Sequence, residues 1–225
     1  MNGPTVGLLT IGQSARDDLF PEITRFLRPH IKVIITGALD ELSTDQVAQL
    51  APSSGEIPLI TRLKDGTSTV VGKEKVFPFM QHKINFLQLS GANFIVLLCT
   101  GPFYNLVSKA PILKPGNFFS ALVKEISLTD NIGVLVPLKE QIEIIRLRWA
   151  RQGINAHIDC ASPYGDLEDL KEAAERLSSI KDLSLIIMDC LGYSLKMKQL
   201  ISPFFQAPII LPRSLIAGII NELFQ

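Results

Sequence analysis

Apolar and polar positions along the chain fall into short runs that switch between two periods. TVGLLT, residues 5–10, is a β-rich apolar run that stops before Gly12. The following SARDDLFPEITRFL sets Leu19, Ile23, Phe26 and Leu27 at helical spacing, which predicts a helix capped at Ser14. IKVIITGALD predicts a second strand ending at Gly37, and STDQVAQLA a short helix capped by Ser43 or Thr44. PLITRLKDGTSTVVG differs, because two alternating runs flank Asp65 and Gly66, a strong signal for a tight hairpin. EKVFPFMQHKINFLQLSGA predicts a helix through Leu89 with a stop at Gly91, despite Pro78 in its first turns. NFIVLLC is then a buried strand that ends at Cys99.

The second half repeats the scheme with less ornament. NIGVLVP, residues 131–137, mirrors TVGLLT, and KEQIEIIRLRWARQG predicts an amphipathic helix ending at Gly153. INAHIDC is a strand ending at Cys160, DLEDLKEAAERLSSI a helix capped by Asp166, and LSLIIMDC a strand that delivers Cys190. A helix (SLKMKQLISPFF), a short strand (PIIL) and a helix opened by Pro212 follow. Strands alternating with helices predict parallel sheets covered on both faces. The expected fold class is therefore α/β. It comprises two doubly wound parallel-sheet domains related by a pseudo-two-fold, with a small β-hairpin insertion. The first domain is expected over 1–113 with 207–225, and the second over 114–206.

Composition narrows the partners. The chain has 225 residues, 47% hydrophobic and 20% charged, an ordinary globular balance. Lys plus Arg equals Asp plus Glu at 22 each, so no basic stripe invites nucleic acid or an anionic membrane. No apolar run approaches the ~20 residues a membrane helix needs. The N-terminus enters a strand with no charged segment ahead of an apolar one, so a cytoplasmic location is expected. The three cysteines lack the C-x-x-C spacing of a zinc site or a disulfide framework, and His30, His82 and His157 are scattered. Neither a metal nor a cofactor is expected.

Cys99 and Cys190 repeat one placement. LLCTG and MDCLG each end an apolar run in Cys, with Gly two places on, and the two cysteines stand 91 positions apart (190 − 99). In open α/β sheets chemistry gathers beyond the carboxyl ends of strands. Two thiols facing one substrate carbon can exchange its proton, one as base and one as acid, without a cofactor. A cysteine alone is more often a small buried hydrophobe, and Cys160, which has no counterpart at Thr36-Gly37, is read as structural.

These residues resemble a known family. The opening GLLTIGQSARDDLFPEI, the hairpin LKDGTSTVV and the pair LLCTGPF and MDCLGYS look like the AroM family, over nearly the whole chain. The cysteine pattern is also similar to the aspartate/glutamate racemase superfamily, where two thiols catalyse. That resemblance implies a racemase-like two-domain fold and a racemase, maleate isomerase or related enzyme of small dicarboxylates. Departures stand out: Thr100 follows Cys99 where Asn is common, and Leu191 follows Cys190 where Thr is common. No His follows the second Cys, and the IGQS loop carries no early Asp.

The expected function is a cofactor-independent isomerase or racemase of a small carboxylate, with Cys99 and Cys190 as the catalytic pair. Ligand contacts are expected from Gln13 and Ser14 at a helix start beyond the first strand. Thr100 and Gly101 beside Cys99, Gly192 and Tyr193 beside Cys190, and Arg213 complete the candidate set, while Arg16 is read as a surface residue. A homodimer is compatible with the sequence. The alternative is a non-catalytic binding or regulatory protein on the same scaffold. Other chemistries fit worse: GQSAR lacks the second Gly of a serine nucleophile elbow, and GTSTVVGKE has the wrong spacing for a phosphate loop.

Overall fold

The computed structural model describes residues 3–126 and 131–225. They form two compact units, Met1–Asn117 with Ile216–Gln225, and Phe118–Leu215. Unit 1 contains β1 (Thr5–Thr10), α1 (Phe20–Thr24), β2 (Lys32–Gly37), α2 (Thr44–Ala48), β3 (Pro58–Arg62), β4 (Ser68–Gly72), α3 (Lys73–Leu89), β5 (Phe94–Leu98) and β6 (Ile112–Leu113). The division to unit 2 falls inside α4 (Pro115–Ile126). Unit 2 contains β7 (Asn131–Val136), a 3₁₀ turn (Lys139–Gln141), α5 (Ile142–Ala150), β8 (Asn155–Cys160), α6 (Leu167–Ser178), β9 (Leu185–Met188), α7 (Leu195–Ile201) and β10 (Ile209–Ile210). The chain returns to unit 1 within α8 (Pro212–Leu223).

Each unit is built on a four-stranded parallel sheet, in the order β2-β1-β5-β6 and β10-β9-β7-β8 respectively. The central strands β1, β5, β7 and β9 are continuous apolar runs because both of their faces are covered. The core of unit 1 gathers Leu9, Ile95 and Leu97 against Val76, Met80, Ile84 and Leu87 of α3. Those α3 positions recur every three or four residues, the stripe a helix lays on a sheet, and each buried side chain stabilises by roughly 1.5–3 kcal/mol. Pro78 lies on the exposed side of α3. In unit 2, Leu135 and Met188 pack with α6 and α7, and Trp149 of α5 anchors a second cluster with Val134, Val136 and Ile187.

The hairpin forms as expected, β3 pairing antiparallel with β4 around Asp65 and Gly66. Ser43 caps α2 in a reciprocal capping box with Gln46, and Asp166 caps α6. The helix expected from Ser14 is a correction, since α1 begins only at Phe20. Asp18 grips the Arg16 guanidinium at 2.7 Å through both Nε and a terminal nitrogen. The Arg16 carbonyl accepts the N–H groups of Leu19 and Phe20, so 14–19 closes as turns. Arg16 is therefore buried at 3% exposure and is not a surface residue. The stretch 101–126 received no element from the hydrophobic pattern, yet it holds β6 and all of α4. β6 is two residues long, too short to show a period.

Candidate functional site

The strand orders place a topological switch point in each unit. From β1 the chain goes to β2 on one side and later to β5 on the other; from β7 it goes to β8 and then to β9. Beyond the carboxyl ends of such neighbouring strands the loops diverge and leave a crevice for chemistry. Cys99 and Cys190 each occupy that place. Leu97 pairs with Leu9, the fifth residue of β1, and Met188 pairs with Leu135, the fifth residue of β7. Each cysteine lies two residues beyond that pair. The match between LLCTG and MDCLG is thus a structural equivalence within each unit's own sheet.

Both thiols are half-buried, no disulfide engages them, and each sulfur receives an N–H from its own loop. The Gly101 amide donates to Cys99 Sγ at 3.2 Å, and the Gly192 amide to Cys190 Sγ at 3.3 Å. A donor aimed at sulfur favours the thiolate. The Cys190 loop is further knitted to the loop after β8. A Cβ on Gly192 would fall 2.5 Å from the Pro163 ring and 2.9 Å from the Tyr164 hydroxyl, so only Gly fits there.

The other candidate residues divide. Ser14 is half-buried beyond β1; its amide donates to Asp40 Oδ1 at 2.6 Å, and no helix starts there to supply the anion site expected of it. Gln13 is buried, and its side chain ties loops together. Nε2 donates to the Leu39 and Leu42 carbonyls at 3.1 and 3.3 Å, while Oε1 accepts the Lys64 amide at 2.9 Å. Thr100 is buried next to Cys99. Tyr193 lies in the core of unit 2, its hydroxyl donating to the Ala161 carbonyl at 2.6 Å. Burial holds that phenol in its neutral form, pushing its pKa well above the usual value. Arg213 is buried at 1% exposure and donates to the Leu191 and Gly192 carbonyls. Tyr193 and Arg213 thus engage partners of their own fold rather than presenting open donors.

Cys160 ends β8, on the side of β7 away from β9. Burial, then the Asp159 carboxylate, pushes its thiol pKa up, which leaves less of it as thiolate at neutral pH. It borders a cavity of about 730 Å³ with Pro137, Leu138, Ser162 and Asp169. Among the described residues no group of three His, Cys, Asp or Glu could hold a metal.

Two contributors escaped the sequence. Asp40 accepts the amides of Gly37 (2.7 Å) and Ser14 and so shapes the loop beyond β1. Arg148 pairs with Asp189, the buried residue just before Cys190. An Asp three residues after a strand-ending Gly was the only available hint of the first. Nothing local signals the second, whose partners are 41 positions apart.

A family profile described as AroM protein matches residues 6–224. The chain belongs to the AroM family. No curated protein sequence matches this AroM-family chain. Among solved structures it is similar to an allantoin racemase from Klebsiella pneumoniae, at 10% identity and a TM-score of 0.65, covering 98% of this chain and 87% of that one. A glutamate racemase from Bacillus anthracis matches at 13% identity and TM-score 0.65, over 99% and 82% of the two chains. An aspartate racemase from Picrophilus torridus matches at 14% identity and TM-score 0.58, over 98% and 94%. At these identities the likeness is one of fold: the AroM chain is built on the aspartate/glutamate racemase scaffold. No helix among the described residues is long and apolar enough to cross a membrane.

Proposed function

We propose that this AroM-family chain is a cofactor-independent isomerase or racemase of a small carboxylate, in which Cys99 and Cys190 move a proton at carbon. The observation that supports this best is the repeated sulfur environment. Two cysteines hold the same position at the switch points of two equivalent sheets, and each accepts the amide of the residue two places on. Removing a proton adjacent to a carboxylate needs a base, and returning it to the opposite face needs an acid. One thiolate and one thiol supply both without a metal or a prosthetic group. Structural neighbours named as aspartate, glutamate and allantoin racemases share the scaffold.

The test is exchange with deuterated water, using aspartate, glutamate, hydantoins and arylmalonates as candidate substrates. One of them should take up solvent deuterium at the reacting carbon. Cys99→Ser and Cys190→Ser should each slow racemisation by about 10²–10⁴-fold, while one-sided exchange can persist in a single stereoisomer. A carboxylate that binds wild type and both variants alike, with no exchange anywhere in the panel, would replace this reading with a binding role.

A further inference from the structure

The helix after the fourth strand begins alike in both units. Pro115 opens α4 two residues beyond β6, and Pro212 opens α8 two residues beyond β10. The next residue is Gly116 in one and Arg213 in the other, and each stands against the same pair of carbonyls. A Cβ on Gly116 would lie 2.3 Å from the Thr100 oxygen and 3.5 Å from the Gly101 oxygen. Arg213 donates Nε to the Leu191 carbonyl at 2.6 Å and a terminal nitrogen to the Gly192 carbonyl at 2.7 Å. Thr100–Gly101 and Leu191–Gly192 are the equivalent residue pairs that follow the two cysteines.

We infer that Gly116 and Arg213 are positioning residues that aim the amide at each sulfur. The Leu191 carbonyl and the Gly192 N–H belong to one planar trans peptide unit, so the two groups point in opposite directions. Fixing the oxygen with a guanidinium turns the N–H toward Cys190 Sγ. In unit 1 the Thr100 carbonyl and the Gly101 N–H form the matching peptide unit, and the bare Cα of Gly116 packs against its oxygen. One unit sets the peptide by close backbone approach, the other by a long buried cation. Arg213 on this reading touches no carboxylate ligand; it acts through the loop, and its relevance to turnover rests on Cys99 and Cys190 being the reacting thiols.

The experiment measures iodoacetamide alkylation of all three cysteines against pH by mass spectrometry, on the full chain, with melting curves to confirm folding. In Arg213→Gln the midpoint of the Cys190 profile should rise by about half to one pH unit, the worth of one hydrogen bond to a thiolate. The Cys99 midpoint should stay in place. Gly116→Ala should do the reverse, moving Cys99 and leaving Cys190. Arg213→Lys, which offers a point charge rather than a fork, should give an intermediate shift, and it carries the test if Arg213→Gln does not fold. A looser loop without lost aim would change the rate plateau and leave the midpoint, and an unmoved Cys190 midpoint in the Arg213 variants overturns the inference. A shifted midpoint without solvent exchange on any substrate keeps the positioning role and removes the racemase reading.

Discussion

Gly37 and Cys160 hold the same post in the two units, yet their surroundings are opposite. Each ends the strand beside the first one, paired with Thr10 in one unit and Val136 in the other. Around Gly37 the space is full: a Cβ there would lie 2.4 Å from the Gly12 oxygen and 2.7 Å from both Asp40 Oδ1 and the Ser14 nitrogen. Cys160 is half-buried against the Trp149 cluster, yet borders a cavity. In unit 1 the buried Gln13 of the loop after β1 and the half-buried Asp40 of the loop after β2 tie these loops together, with Gln13 also bonded to the inserted hairpin at Lys64; in unit 2 the chain after β7 runs through Pro137 and Leu138 into a 3₁₀ turn. Two sheets of one topology therefore keep the sulfur at the switch point and differ in what fills the neighbouring position. The shared feature is the one the proposed function draws on, and the divergent one belongs to the packing around it.

The comparison can be broken most forcefully by transplanting residues. Gly37→Cys should cost about 3 kcal/mol or more, because the side chain meets backbone on several sides, whereas Cys160→Ala should cost about 1 kcal/mol; urea melts of the two variants should rank them so. Asp189→Leu, which copies the equivalent Leu98, should cost about 2 kcal/mol. The penalty falls short of a fully orphaned charge because Arg148 keeps 19% of its side chain in water, and reverting with Arg148→Met should recover part of it. Tyr193→Phe should lose about 1 kcal/mol at neutral pH with its bond to Ala161. The wild type binds this phenolic proton more tightly folded than unfolded. Its contribution is thus complete below the ordinary phenol value of ~10 and falls as pH climbs past it. Chemical denaturation at pH 8 and 11 should show this loss in wild type and a smaller one in the Phe variant. The gentlest probe is alkylation of the intact protein. With its pKa raised, Cys160 should react more slowly at neutral pH than Cys99 or Cys190, and its rate should still be climbing where an ordinary thiol has levelled off.

The alternation of strands and helices was legible because the central strands are apolar on both faces and α3 and α6 carry a clear stripe. The paired cysteines were legible because both strand ends repeat a short pattern. What the sequence hid depends on contacts distant along the chain. Arg16 looks like a surface residue until Asp18 folds back on it, and Gln13 looks like a ligand contact until Leu39, Leu42 and Lys64 converge on its amide. Arg213 reads as a charge awaiting an anion, yet it holds neutral carbonyls more than twenty positions upstream. Local pattern shows where a side chain is placed, and only tertiary packing decides whether its polar atoms remain open.

The crossing of α4 and α8 between the units has a consequence for biosynthesis. Unit 2 is one uninterrupted stretch, whereas unit 1 needs residues that are translated after all of unit 2. Asn221 bonds back to Phe26 and Arg28 at 2.6 and 3.0 Å, and the Phe224 ring packs edge-on against Phe94 at 5.5 Å. On the ribosome the segment that begins first is therefore completed second. The β2-β1-β5-β6 sheet and the α1 region gain these contacts only once α8 and Phe224 have been made.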